Sequence, residues 1–174
     1  MSVSGCLSTL NWGDVPTWIA SIGTLAAISI ALWQILGDRR RAAEQQRRAQ
    51  AELISAWYAG ADHDHSRLVI RNASDQPIYE AVVVLVINGR SGREAPPEYR
   101  RILLVVPPGT YRIQAPIGWR GMGATPGAEV AFTDRTGEAY WVRRAGGSLT
   151  EIDQTAIEHY AIDRPFQSTD LRPE

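Results

Sequence analysis

The longest run of hydrophobic positions covers residues 15–37 and contains no charged side chain. A helix of that length would measure about 34 Å, enough to cross a hydrocarbon core of about 30 Å. Asp14 suits the N-cap of such a helix, and Pro16 suits its first turn. Trp18 and Trp33 lie towards its two ends, where membrane helices carry interfacial aromatic residues. The pattern predicts a transmembrane helix over residues 15–37.

Two other interpretations of this run are weaker. Secretory signal peptides begin with a basic region, whereas residues 1–14 contain no Lys or Arg. Buried core helices of soluble proteins are usually shorter and rarely carry Trp at both ends. We therefore interpret residues 1–14 as a short segment that precedes an uncleaved membrane helix.

A polar stretch, residues 38–52, follows the run without Pro or Gly and is rich in residues that favour helices. It predicts a helical stem that continues the membrane helix. No basic residue precedes the run, but five follow it: Arg39, Arg40, Arg41, Arg47 and Arg48. The positive-inside rule then places the N-terminus outside the cell membrane and the rest of this single-pass protein in the cytoplasm. The same Arg residues could contact anionic lipid head groups.

Small residues recur every four positions in the run, at Gly23, Ala27 and Ala31. On a helix they form one ridge, and such a ridge lets two membrane helices approach closely. The spacing indicates a candidate face for self-association, which would make the protein a homodimer.

From residue 53 onwards the pattern changes to short apolar runs separated by turn residues. The run 78–87 is rich in Val and Ile and predicts a central strand that is buried on both faces. The Pro-Pro-Gly sequence at 107–109 predicts a hairpin that joins strands 101–106 and 111–114. A second hairpin is predicted around residues 134–137.

Seven or eight such runs lie within residues 53–152, with no helical pattern between them, which is typical of a β-sandwich. We therefore predict a mostly β fold with one long N-terminal helix, followed by an immunoglobulin-like β-sandwich. The Cys…Trp…Cys pattern of true immunoglobulin domains is absent, so the term describes architecture only. Residues 153–174 predict a largely disordered tail with one or two helical turns around residues 157–162.

The distribution of charge and the number of cysteines limit the classes of function and of fold that the chain can have. Residues 38–51 carry five Arg and two acidic residues, whereas residues 52–174 carry thirteen Arg and sixteen acidic residues. The larger part of the chain therefore lacks the basic footprint of a nucleic-acid-binding protein, and we expect no nucleic-acid partner. A single cysteine, Cys6, excludes an internal disulfide.

Three stretches carry a resemblance to known proteins. The first is Trp12-Gly13-Asp14-Val15-Pro16-Thr17-Trp18, and the second is Arg71-Asn72-Ala73-Ser74 followed by Pro77-Ile78-Tyr79. The third comprises Phe132-Thr133-Asp134, Gly137, Trp141, Arg143 and Leu149, with one more residue than usual between the Gly and the Trp. Together they are similar to uncharacterised single-pass membrane proteins of GC-rich bacteria. The resemblance implies a membrane anchor, a helical stem and a β-sandwich, and it implies no catalytic residues.

Two His residues alternate with two Asp residues at positions 62–65, the only cluster with metal-ligand residue types. A metal site needs three or four converging ligands, and the one remaining histidine is His159. We expect a polar turn here, with no metal or cofactor. A metal-dependent enzyme centred on His63 and His65 is the alternative.

A Gly-rich stretch, residues 117–127, is the longest predicted loop. It contains Trp119, Arg120 and Met122, residue types that suit a binding loop at one end of a sandwich. The other interpretation is that Trp119 folds back to cover the core.

These observations predict a membrane-anchored protein without enzymatic activity, whose cytoplasmic β-sandwich serves as a protein-interaction or scaffolding module. The expected partners are membrane lipid along residues 15–37, a second copy through the membrane helix, and an unidentified protein. Besides the metal-dependent enzyme, the other alternative is an extracellular, envelope-facing binding domain with the reversed topology.

Overall fold

The computed structural model describes residues 14–61, 66–115 and 123–173. The chain forms two compact units, residues 1–45 and residues 46–174. In its described part, the first unit is helical throughout. The second unit contains the last turns of that helix, two β-sheets and the C-terminal segment.

The first element is helix α1, Asp14–Glu52. It runs through both the segment predicted as a membrane helix and the segment predicted as a stem, so the prediction of a continuous helix is confirmed. No helix in the described part of the chain is long and apolar enough to cross a membrane. The predicted span over residues 15–37 is therefore not confirmed.

Nine strands follow within the described residues, and they form two sheets. Sheet A contains β1 (Ile54–Ala61), β2 (Ser66–Asn72), β5 (Gly109–Ala115) and β9 (Arg172–Pro173). Sheet B contains β3 (Ile78–Ile87), β4 (Arg100–Val106), β6 (Pro126–Thr133), β7 (Tyr140–Arg143) and β8 (Leu149–Ile152). Two 3₁₀ turns, Gly92–Glu94 and Pro97–Tyr99, precede β4, and a short helix α2, Ala156–His159, follows β8.

All strand pairs are antiparallel, with the order β1-β2-β5-β9 in sheet A and β4-β3-β6-β7-β8 in sheet B. The mostly β fold with one long N-terminal helix is thus confirmed. The described chain has nine strands rather than the predicted seven or eight. The additional strand is β9, which lies in the segment that was predicted as a disordered tail.

The two sheets share an inner core. Sheet A contributes Ile54, Leu68, Ile70 and Ile113, and sheet B contributes Ile78, Val83, Leu85, Phe132 and Trp141. An outer core covers the opposite face of sheet B and contains Val82, Val84, Val86, Ile102, Ala131, Ile157 and Tyr160. Since successive side chains of a strand point to opposite faces, β3 supplies both cores in alternation. The prediction that this strand is buried on both faces is confirmed, because Ala81–Val86 are each at most 2% exposed.

The predicted hairpin between residues 101–106 and 111–114 is wrong. β4 pairs with β3, and β5 pairs with β2 along its whole length, from Asn72↔Gly109 to Ser66↔Ala115. The Pro-Pro-Gly sequence therefore carries the chain from one sheet to the other. The reason is burial, since Ile113 must face the inner core from sheet A while Leu103 faces it from sheet B.

The hairpin around residues 134–137 is confirmed, because β6 and β7 pair from Thr133↔Tyr140 to Val130↔Arg143. The predicted helical turn near residues 157–162 is also present as α2. Its first turn has a capping box, in which Thr155 and Glu158 bond reciprocally to each other's backbone N–H groups.

The tail beyond α2 differs from the prediction of disorder. Phe166 packs on the outer core, and the Thr169 N–H donates to the carbonyl of Ile102 on β4 at 2.7 Å. β9 then pairs with β5 at Tyr111↔Pro173 and Arg112↔Arg172. The tail therefore runs from the outer face of sheet B, past strand β4 at its edge, to sheet A.

Candidate functional site

The apolar part of α1 carries large side chains that the described chain leaves uncovered. Eight of them are between 50% and 79% exposed: Ile22, Leu25, Ile28, Ile30, Leu32, Trp33, Ile35 and Leu36. At 3.6 residues per turn these positions lie on more than one face of the helix. The hydroxyl of Ser29 donates to the carbonyl of Leu25 at 2.8 Å, so this polar group is satisfied within the helix. A hydrophobic helix of this kind is normally covered by protein or by lipid.

The small residues Gly23, Ala27 and Ala31 are exposed on the same helix. Apart from its chain neighbours and the helix's own backbone, no described atom lies within 4 Å of the position that a Cβ would take on Gly23. The face predicted for self-association is therefore open in the single chain, and its use in a dimer stays a prediction.

The five Arg residues predicted to set topology or contact lipid fall into different environments. Arg39 and Arg48 are exposed, while Arg47 forms an ion pair with Glu138. The side chains of Arg40 and Arg41 lie outside the described residues. Arg48 pairs with Glu52 at 3.3 Å, in the i,i+4 arrangement that stabilises helices slightly.

The last turns of α1 are bound to the β6–β7 hairpin. Asp134 is buried there and accepts hydrogen bonds from the backbone N–H and the hydroxyl of Thr136, at 3.0 and 2.7 Å. Arg47 Nε lies 4.0 Å from Asp134 Oδ2. Arg143 donates to the carbonyls of Ala51 and Glu52 at 3.3 and 2.9 Å, which fixes the end of the helix on the hairpin. These contacts give Arg47 a structural role within the folded domain.

A buried polar group lies on the outer face of sheet B, where α2 crosses β6; we call it the Glu129 cluster. Glu129 is 1% exposed, and its Oε1 accepts hydrogen bonds from the Tyr160 hydroxyl at 2.8 Å and from the Gly92 N–H at 3.2 Å. Arg144 lies 3.7 Å from Glu129 Oε2. Burial, together with the charge and hydrogen bond of Glu129, raises the pKa of Tyr160 well above its usual value. The tyrosine thus acts as a neutral donor that holds α2 to the sheet.

Two further side chains complete the Glu129 cluster. Arg100 donates to the carbonyl of Tyr160 at 2.6 Å, and its guanidinium lies 5.8 Å from the centre of the Tyr160 ring. His159 is buried, its ring makes an edge contact with Tyr160, and its Nε2 has no hydrogen-bond partner among the described residues. Burial lowers the pKa of His159, and Arg93 lowers it further.

A groove of about 600 Å³ lies on sheet B beside the β6–β7 hairpin. We call it the Tyr79 groove; its main lining residues are Tyr79, Glu80, Leu104, Thr133, Arg135 and Tyr140. Tyr79 and Leu104 are exposed to 37% and 53%, values unusual for large side chains in a sheet with two cores. The lining comes from strands β3, β4, β6 and β7, from the turn between β6 and β7, and from Thr155 before α2, so the groove exists only in the folded domain.

Two features of the groove are energetically unfavourable in the free protein. The Thr133 hydroxyl is buried without a hydrogen-bond partner in the described structure, and a group in this state typically costs about 1–3 kcal/mol. Glu80 has a φ of 45°, at an irregularity where the β3–β6 register shifts between Tyr79 and Val82. Strained backbone and unsatisfied polar groups concentrate at functional sites, which makes this groove the best candidate for one.

Some predicted site residues lie outside the described residues, namely His63, His65, Trp119, Arg120 and Met122. Neither the metal-ligand hypothesis for the two histidines nor the binding-loop hypothesis is tested by the structure. Within the described ranges, no group of three or more His, Cys, Asp and Glu side chains could hold a metal ion.

The sequence interpretation missed both the Glu129 cluster and the Tyr79 groove. A signal for Glu129 was present, since it is the one charged residue within the apolar sequence of β6. No comparable signal marks the groove, because its lining residues are separated by up to 76 positions, from Tyr79 to Thr155.

Comparisons with known proteins assign neither a family nor a function, since no protein-family model, no curated protein and no solved structure matches this chain. The resemblance to single-pass membrane proteins of GC-rich bacteria therefore stays a prediction.

Proposed function

We propose that this protein is a membrane-anchored interaction module, in which the apolar part of α1 inserts into a lipid bilayer and the β domain binds another protein. The observation that carries the proposal is the set of eight large apolar side chains on residues 22–36, each at least half exposed. Covering side chains of this size is worth about 1.5–3 kcal/mol each, so the set is worth on the order of 10 kcal/mol. The uncharged run over residues 15–37 supports insertion rather than attachment to the bilayer surface, since surface helices carry one charged face.

The direction of insertion follows from the charged flank. Arg39, Arg40 and Arg41 come directly after the apolar run, and no basic residue precedes it. This asymmetry supports a cytoplasmic β domain and an external N-terminus. The small-residue face Gly23, Ala27 and Ala31 supports a second copy of the same helix as a neighbour in the bilayer.

We also infer an immunoglobulin-like sandwich. In such folds the first, second and fifth strands share one sheet, and the third, sixth and seventh strands share the other. The orders β1-β2-β5 and β3-β6-β7 support this arrangement, with β4 added at the edge of sheet B. Interaction domains of this architecture present binding surfaces on an otherwise rigid scaffold, and the Tyr79 groove supports such a role here.

Membrane insertion is tested by alkaline carbonate extraction of membranes from bacteria that express the full chain. We expect the protein to stay in the membrane pellet, and the double variant Ile28→Arg/Leu32→Arg to be released. Each Arg near the centre of a membrane helix costs about 2.5–3.5 kcal/mol.

The matched control is Leu104→Arg/Val105→Arg, which places the same charges on two exposed apolar positions of β4. This control should remain in the pellet. Release of the unmodified protein by carbonate, or equal retention of the Ile28→Arg/Leu32→Arg variant, would show that α1 is not inserted.

A further inference from the structure

We propose that the Tyr79 groove binds an extended, proline-rich segment of a partner protein that carries one basic side chain. The proposal rests on the proposed role of the β domain as an interaction module, and it does not depend on the membrane anchor. It is carried by three properties of the groove: unused hydroxyl groups, exposed apolar surface and an unpaired carboxylate.

The unused hydroxyl groups belong to Tyr79 and Tyr140, whose side chains are not buried. Neither hydroxyl forms a hydrogen bond to another described residue, whereas the Thr133 hydroxyl beside them is shielded from solvent and out of reach of a ligand. The two tyrosine hydroxyl groups can donate to carbonyl oxygens of a ligand. A polyproline II segment suits them, because it has no internal hydrogen bonds and all its carbonyl groups are free.

The exposed apolar surface is formed by the ring of Tyr79 and the side chain of Leu104, with the ring of Tyr140 in the same lining. Grooves lined by aromatic residues recognise proline-rich segments in several unrelated domains, since the pyrrolidine rings pack on aromatic faces. Such a segment is already extended before it binds, so little conformational entropy is lost on binding. An aromatic groove with free hydroxyl groups therefore fits proline better than a flexible polar peptide.

The unpaired carboxylate is that of Glu80, which is half-buried and forms no ion pair within the described chain. Its φ of 45° at the β3 register shift is a strained conformation for a non-glycine residue. The carboxylate can accept a charge-assisted hydrogen bond from Arg or Lys. Because Arg135 lines the same groove, a segment with one basic residue is preferred over a polybasic one.

The test is a fluorescence anisotropy titration of the full chain in detergent micelles. The probe is a labelled peptide of about eight prolines followed by one arginine, which forms a polyproline II helix. Two comparison probes test the proline residues and the arginine separately. A Gly/Ser peptide with the same arginine lacks the prolines, and the proline peptide with glutamate in place of arginine lacks the basic side chain. We expect binding of the first probe with a Kd of roughly 10–100 µM, and at least about tenfold weaker binding of the other two.

Protein variants then locate the binding. Tyr79→Ala should weaken binding of the proline–arginine peptide by at least about tenfold, and Glu80→Gln should remove the preference for arginine over glutamate. The matched control is Trp57→Ala, an equally exposed aromatic residue on β1 in the other sheet, which should bind like the unmodified protein. Near-ultraviolet circular dichroism of each variant verifies that the domain is folded.

Four results would overturn the proposal. Three are no binding of the proline–arginine peptide at millimolar concentration, equal binding of the Gly/Ser peptide, and unchanged binding by Tyr79→Ala. The fourth is an oligomer that dissociates on Tyr79→Ala in the absence of peptide, since the groove would then be occupied by a second copy. None of these results changes the outcome expected in the carbonate extraction. The two experiments therefore distinguish a wrong proposal about the groove from a wrong proposal about membrane insertion of α1.

Discussion

At the scale of single residues, Glu129 shows how one polar side chain organises an apolar face. It lies between Ala128 and Val130 on β6, with its carboxylate under α2. Its two hydrogen bonds, from Tyr160 and Gly92, satisfy a group that would otherwise be costly to bury. A Cβ on Gly92 would lie 2.7 Å from Glu129 Oε1, which explains a residue without a side chain at this point of the 3₁₀ turn.

The buried imidazole of His159 predicts a loss of stability in mild acid. Burial, with help from the positive charges of Arg93 and Arg144, keeps the pKa of His159 below its usual value, while Glu129 and Asp153 act in the opposite direction. The unfolded chain therefore takes up the proton first, and the free energy of unfolding falls as the pH drops through about 6.5. The loss stops below the pKa of the folded state. Thermal unfolding measured between about pH 7.5 and pH 5.5 should show this decrease.

The variant His159→Gln serves as the comparison, because every other titrating group, including His63 and His65, is retained. Its stability should depend less on pH over the same range. If the unmodified protein and the variant show the same pH dependence, the histidine does not contribute to acid sensitivity.

At the scale of elements, the C-terminal tail shows how an edge strand is protected. β4 ends sheet B on one side, and an uncovered edge presents free backbone groups to other chains. The tail supplies a backbone donor to Ile102 and a short pairing to β5. It thereby contacts an outer strand of each sheet, β4 in sheet B and β5 in sheet A.

We therefore expect deletion of residues 168–174 to increase the rate of aggregation strongly, while it lowers the free energy of unfolding only modestly. Phe166 stays in place on the outer core, so the losses are the hydrogen bonds to Ile102 and β5, at about 1 kcal/mol each, and the packing of Leu171 on the inner core. Light scattering over time, just below the unfolding transition, measures the effect.

The variant Thr169→Pro isolates the single donor to Ile102, because proline has no N–H, and Thr169→Ala is its control. We expect faster aggregation for the proline variant alone. A truncated protein that scatters light no more than the full chain would show that the tail is not an edge cover.

At the scale of the whole molecule, the Arg residues that follow the apolar run, with no basic residue before it, predict the orientation of the proposed membrane helix. In spheroplasts, the β domain should resist external protease, whereas in inverted vesicles it should be digested. Replacing Arg39, Arg40 and Arg41 with Gln should give a mixture of orientations, because it weakens the positive flank that retains the β domain on the cytoplasmic side in the proposed topology.

The matched control replaces Arg90, Arg93 and Arg135 with Gln, which removes the same number of charges from the folded domain. Distant charges have little influence on orientation, so this variant should behave like the unmodified protein. Digestion of the β domain in intact spheroplasts of the unmodified protein would instead support the envelope-facing alternative.

The sequence by itself determined those elements that depend on neighbours along the chain. The continuous helix α1 follows from a long stretch of helix-forming residues without an internal proline after Pro16, and its bounds match the predicted segments closely. Strand β3 was predicted with the bounds observed, Ile78–Ile87, because β-branched residues dominate it. The β6–β7 hairpin follows from local turn chemistry, in which Asp134 bonds to its own turn.

Only the tertiary structure decided which strands became partners and which side chains met. The Pro-Pro-Gly turn is compatible with a hairpin, but burial of Ile113 and Leu103 from opposite sheets sends β5 to β2. Likewise, nothing local distinguishes Tyr79 and Tyr140, which share a groove because β3 and β7 both flank β6. Periodicity and turn residues act over a few positions, whereas strand pairing is selected by the burial of whole faces, which depends on residues far apart in the chain.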